Sequence, residues 1–185
     1  NNPNIDDEDV DQIEAAFENT VRPELNSQFG TWNDYNNNGR LTILVLDIPA
    51  PRPGVIVGGY HFTADYVSQS AFAESNERDM VYMNEQFPID SSQDFNKTLT
   101  QEVQHATNFN LDGADPTDTP ENWLDEAIAN YAEFEVYGAT KSGVVDDYES
   151  NPATTELAIW RGTLEDYGAS FLYAMYLSEQ YGDLA

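Results

Sequence analysis

The chain has 185 residues, of which 34 are acidic and 7 basic, for a formal charge of −27. So acidic a balance repels nucleic acid and anionic lipid over nearly the whole surface and excludes both as partners. The absence of cysteine excludes a disulfide framework and thiol chemistry. No apolar run is long enough to span a membrane.

The chain opens Asn1-Asn2-Pro3 without Met, which suggests a piece processed or excised from a longer protein. From Asp6 to Phe29 the pattern is helical: Val10, Ile13, Ala16, Phe17 and Val21 fall on one face. Pro23 should break or restart that helix. Asp34-Tyr-Asn36-Asn-Asn38-Gly39 then has the D-x-N-x-N-G spacing that opens a calcium loop, with alternating oxygens free to face one ion. The twelfth position of that loop is Val45 instead of Glu, so the competing reading is a turn whose side chains bond their own backbone. Calcium through Asp34, Asn36 and Asn38 is placed ahead of it.

Strands are expected over 41–47, 54–60 and 80–83, and the pattern turns helical from residue 94. The expectation is one domain over 1–185, with a helix-and-sheet half (1–93) and a helical half (94–185). Helices are expected around Gln101, over 123–133, and from Asp166 to Gln180. Asn96-Lys97-Thr98 is a candidate glycan acceptor, and His61 reads as a half-buried structural residue. Phe171, Tyr173, Tyr176 and Tyr181 read as core and interface.

The chemistry lies in Gln101-Glu102-Val103-Gln104-His105. In H-E-x-x-H two imidazoles four residues apart share a helix face and hold zinc, while the Glu acts as general base on the metal-bound water. Here Glu102 and His105 stand in those places and Gln101 replaces the first imidazole. Glu126, in Trp123-Leu124-Asp125-Glu126, follows at a distance that lets a second helix present a carboxylate. Without a metal, Glu102 and His105 would be a polar pair in a partly buried cleft.

These segments, with Tyr167-Gly168-Ala169-Ser170-Phe171-Leu172, resemble the gluzincin zinc metallopeptidases of the hyicolysin type, over most of the chain. The resemblance implies an α+β zincin-like fold, in which a twisted sheet is joined to active-site helices. It implies His105 and Glu126 as zinc ligands with Gln101 as the degenerate one, and Glu102 as general base. Asn130 would occupy an outer-shell place held by a carboxylate in thermolysin-like members, and Tyr167 could donate to an oxyanion.

An amide oxygen is a weak, neutral donor, whereas zinc is held chiefly by imidazole, thiolate and carboxylate. Gln101 therefore weakens the site, and without the ion Glu102 has no acidified water to activate. Gln101 reads as a natural loss ahead of an engineered substitution or an unusual ligand. The acidic surface fits an extracellular setting in concentrated salt, where the Debye length shrinks to about 3 Å at 1 M. The sequence thus predicts a non-catalytic metallopeptidase-like domain that binds a peptide or protein ligand or self-assembles at a cell surface. Two rivals are a working zinc metalloendopeptidase and a calcium-stabilised adhesive or filament module.

Overall fold

The computed structural model describes residues 5–51, 56–89, 93–115, 122–140 and 143–182. The chain forms two compact units, Asn1–Pro116 and Thr117–Ala185. The architecture is mixed α+β; among the described residues the strands lie in the first unit and the second holds helices alone.

The first unit opens with α1 (Asp7–Ala16). The Asp6 carboxylate accepts from the N–H of Glu8 and Asp9, and Asp9 returns a bond to the Asp6 N–H, a reciprocal cap that places acids at the positive end of the helix dipole. At Pro23, expected to break or restart the helix, the chain makes a widened turn: Phe17–Val21 is π-helical and leads without interruption into α2 (Arg22–Gln28). Proline lacks an N–H, and in an α-helix its ring strikes the carbonyl four residues back. The wider turn, in which the Arg22 N–H bonds the Phe17 carbonyl, carries the chain past that obstacle. Ile13, Phe17, Val21 and Leu25, spaced by fours, are all buried, whereas Val10 is 51% exposed.

Strands β1 (Thr42–Leu46), β2 (Gly59–His61) and β3 (Met80–Asn84) form one sheet in the order β1-β3-β2. β1 runs parallel to β3 in register Thr42↔Met80 to Leu46↔Asn84, and β2 runs antiparallel with Tyr60 opposite Tyr82. Being central, β3 is buried at all five residues. Its side chains alternate faces: Met80 and Tyr82 cluster with Ile48 on one, which leaves Val81 and Met83 to the other. Residues 54 and 55 of the expected second strand lie outside the described residues.

Helix α3 (Asp94–Leu111) packs on β2 and β3. For that reason the chain divides at Pro116/Thr117, one helix later than the 93/94 division expected from sequence. Among the described residues no helix is long and apolar enough to cross a membrane.

The second unit holds α4 (Asn122–Tyr137), α5 (Val144–Ser150) and α6 (Leu164–Tyr181). The capping residues expected at 119–121 lie outside the described residues. α6 packs on both other helices, with Phe134 against Phe171 and Trp123 against Tyr173. Its first turn is fixed by the Asp166 carboxylate, which accepts from the N–H of Arg161 (2.7 Å) and Thr163 (3.2 Å). Gly168 is required: a Cβ there would lie 2.1 Å from the Val144 carbonyl oxygen. Of the aromatic run expected as core and interface, Phe171 is buried, and Tyr176 and Tyr181 are 52% and 80% exposed.

Candidate functional site

A helix that buries polar side chains where apolar ones would be more stable is the clearest local departure from packing logic. α3 buries Thr98, Thr100, Gln101, Glu102, Gln104, Thr107 and Asn108. Several are satisfied within the helix. Thr100 and Thr107 donate to the carbonyls of Asn96 and Val103, and the Gln104 amide donates to Asn108 Oδ1 at 2.8 Å. Gln101 and Glu102 are 3% and 6% exposed, and His105 is half-buried one turn on.

What lies over this helix is the edge strand β2. A Cβ built on Gly59 would fall 2.7 Å from the Tyr82 carbonyl oxygen and 2.9 Å from Glu102 Cγ, and one on Gly58 would fall 3.0 Å from Thr98 Cγ2. The two glycines therefore let the strand settle onto the helix, the close-approach role of glycine within a strand. Asn84 N–H bonds the Gly58 carbonyl at 2.8 Å. Strand geometry then sends the N–H and C=O of Gly59 away from β3, toward the edge that no other strand pairs with among the described residues. So the buried Glu102 carboxylate side chain lies beneath a strand whose edge can take another strand. The Gly58-Gly59 pair is visible in the sequence, and a strand containing two adjacent glycines was the available signal for this approach.

Glu126 and Asn130 are one turn apart on α4, in the second unit, with the Asn130 amide donating to the Glu126 carbonyl at 2.7 Å. Asn130 is fully buried, and its Oδ1 has no hydrogen-bond partner among the described residues. Tyr167 is half-buried on α6 and meets Trp160 edge-on at 4.8 Å. His61 is half-buried in an aromatic group with Tyr66 (5.5 Å) and Phe109 (5.7 Å). Asn96 lies in the first turns of α3 and Thr98 is buried against Gly58, a helical and enclosed setting for an acceptor triplet.

The Asn-rich loop uses its side chains on protein groups. The Asp34 carboxylate accepts from the N–H of Asn38 (3.0 Å) and Gly39 (2.8 Å), and Asn38 Oδ1 accepts from the Arg40 N–H (2.7 Å). The Asn36 amide donates to the buried Asp79 at 2.8 Å.

In the first unit two buried acids, Asp65 and Asp79, escaped the sequence reading. Asp65 accepts from the Tyr82 hydroxyl (2.5 Å), the Asn76 N–H (2.8 Å) and the Asn76 amide (3.0 Å). Burial, then the bond to Asp65, pushes the Tyr82 hydroxyl well above its ordinary range. Asp79 accepts from Trp32 Nε1 at 3.2 Å as well as from Asn36. Burial raises its pKa above the usual carboxylate value; the Trp32 bond opposes that rise, and the charge of Asp34 adds to it. Among 34 acids, nothing in the local sequence marks these two as buried.

The donor set can be weighed against zinc. Catalytic zinc takes three protein ligands, and the motif on α3 supplies one imidazole, His105, and one amide, Gln101, in its two ligand positions. Among the described residues no group of three or more His, Cys, Asp or Glu side chains is placed to hold a metal ion. An amide in place of the first imidazole makes a weaker donor set for zinc than two imidazoles would.

No protein-family model matches the chain. Among curated proteins, it is 28% identical over 193 aligned positions to the neutral metalloprotease ShpI of Staphylococcus hyicus, an alignment covering 95% of this chain and 43% of that protein. The chain thus spans less than half the length of the curated relative it matches. The relationship to a metalloprotease is distant and runs along nearly the whole chain, so the domain is metallopeptidase-like.

Proposed function

We propose that this chain is an extracellular, peptide-binding, metallopeptidase-like domain whose zinc grip has weakened until hydrolysis is lost. The observation that carries the reading is Gln101 in the place of the first imidazole, on a helix whose Glu102 still lies beneath the open edge of β2. An edge strand offers unpaired N–H and C=O groups, and an extended peptide can add to it as a further strand. Gly59 presents such groups directly above Glu102. A peptide laid there is positioned, but a carboxylate facing water of ordinary acidity is a poor catalyst of amide hydrolysis.

The zincin architecture, His105 and Glu126 as residual ligands, Asn130 as their outer-shell neighbour and Tyr167 as an oxyanion donor rest on the motif match. A concentrated-salt exterior rests on the charge of −27. The relative's name favours one rival, a working zinc metallopeptidase with Glu102 as general base.

Equilibrium dialysis against zinc at neutral pH separates the two. The expected result is well under one equivalent retained at micromolar zinc, and a full equivalent would overturn the proposal. Outer-shell changes cost about 10–100-fold in metal affinity. Restoring an imidazole that touches the metal, with Gln101→His, should therefore tighten zinc by more than about a hundredfold, and casein cleavage should appear with it.

A further inference from the structure

The loop between α2 and β1 holds Asn38-Gly39, the one place in the chain where glycine follows asparagine. At such a pair the backbone nitrogen after the asparagine can attack the side-chain amide carbon and close a five-membered ring. Glycine hinders this least, because it has no Cβ and moves freely between backbone conformations. Gly39 lies at φ +70°, and a Cβ built on it would meet no described atom within 4 Å, so there is open space around the ring that would form. Asn38, Gly39 and Arg40 are all exposed, and water reaches them.

Two hydrogen bonds bear on that attack from opposite sides. The N–H of Gly39, the nucleophile, donates to Asp34 Oδ2 at 2.8 Å. A general base must lie about 2.6–3.2 Å from the atom whose proton it takes, and the Asp34 carboxylate does. The N–H of Arg40 donates to Asn38 Oδ1 at 2.7 Å. That oxygen takes up negative charge once the amide carbon is attacked, and a fixed backbone donor about 2.7–3.1 Å away stabilises such an oxyanion. The other Asp34 oxygen accepts from the Asn38 N–H at 3.0 Å, which holds the carboxylate in place. Nucleophile, base and oxyanion donor are thus assembled within residues 34–40, where proximity alone lowers the barrier.

We propose that Asn38 is a self-modifying site, at which Asp34 and the Arg40 N–H accelerate ring closure onto Gly39 with loss of ammonia. The Gly39 nitrogen bonds to Asn38 Cγ and gives its proton to Asp34. The tetrahedral intermediate then breaks between Cγ and Nδ2, Asp34 passes the proton to the leaving Nδ2, and ammonia departs. Water opens the resulting cyclic imide at either carbonyl and leaves aspartate or isoaspartate at 38. Both products add a carboxylate beside Asp34, and isoaspartate also lengthens the backbone of the loop that brings Asn36 to Asp79. The proposal is independent of the reading of β2 and Glu102.

The test is peptide mapping by mass spectrometry of the full chain incubated at neutral pH, folded and in urea, with the conversion of Asn38 followed in time. The folded chain should convert at least about tenfold faster than the unfolded one, a modest part of the roughly 10²–10⁴-fold that general acid–base catalysis supplies. Asp34→Asn, which keeps an acceptor but removes the base, should bring the folded rate down to the unfolded one. The comparison of folded with unfolded wild type needs no variant, so it decides the matter even where Asp34→Asn does not fold. If the same hydrogen bonds instead locked the loop against closure, the order of rates would reverse. Equal or slower conversion in the folded chain would overturn the proposal, and so would an unchanged rate in folded Asp34→Asn.

Discussion

The two edges of one small sheet are finished in opposite ways. At β2 the strand has shed its side chains: Gly58 and Gly59 lie directly on Thr98 and Glu102, and the backbone itself meets the buried polar helix. At β1 the side chains remain, and Ile43 and Val45 wall a groove open to solvent. The first edge is organised around a chemical group, the second around volume and shape. At the first edge a buried carboxylate side chain is in direct contact beneath the strand, whereas at the second the charged groups line an open groove.

The sharpest way to break the contrast is to add one atom to the first edge. Gly59→Ala places a methyl 2.7 Å from a backbone oxygen that cannot move aside. Overpacking of this kind costs about 1–3 kcal/mol, and the upper end is expected from urea denaturation. The matching change on the other edge, Val45→Ala, removes two methyl groups from a half-buried position. It should cost about 1 kcal/mol, since a fully buried CH₂ is worth about 0.8 kcal/mol. Equal losses at the two positions would mean that the edges do not differ as described.

A second substitution tests what anchors the loop after β2. Tyr82→Phe removes the hydroxyl donated to the buried Asp65 and leaves the two Asn76 donors in place. A buried acceptor deprived of one partner costs about 1–3 kcal/mol. The lower half of that range is expected, because two bonds survive.

The smallest effect is a slope. Asp79, whose backbone carbonyl receives the Thr42 N–H at the start of β1, has a folded-state pKa above its ordinary value of 3.8. The fold therefore favours its protonated form: that contribution is complete below the unfolded pKa and is lost as pH rises through the folded one. Urea midpoints of the wild type and Asp79→Asn, compared from about pH 4 upward, should show the wild type losing stability relative to the variant as pH increases. Parallel curves would show that Asp79 keeps its proton equally in both states.

Much of this site can be read from spacing. Gln101, Glu102 and His105 are legible because helical period alone sets which residues neighbour one another, and α3 keeps that period. The strands around Val45 and Val81 are legible as dense β-branched and apolar runs. The widened turn at Phe17–Val21 is not, because Pro23 signals an obstacle without saying whether the chain stops or bends past it. The seven residues of α5 are too few to display a period. Asp65 and Asp79 are illegible for another reason: their burial depends on donors 11 to 47 residues away, from Asn76 to Trp32. The Asn-rich loop had the right oxygens for an ion, yet which way they turn is set by local backbone and by Asp79.

Gly168 has a wider meaning than its size suggests. A helix of seven residues does not persist alone in water, so α5 exists because the backbone of α6 comes near enough to shelter its first carbonyl. A side chain at 168 would press on the Val144 carbonyl and on Tyr148 Cβ, so the strain of a change in α6 would fall on α5, whose own residues are unchanged.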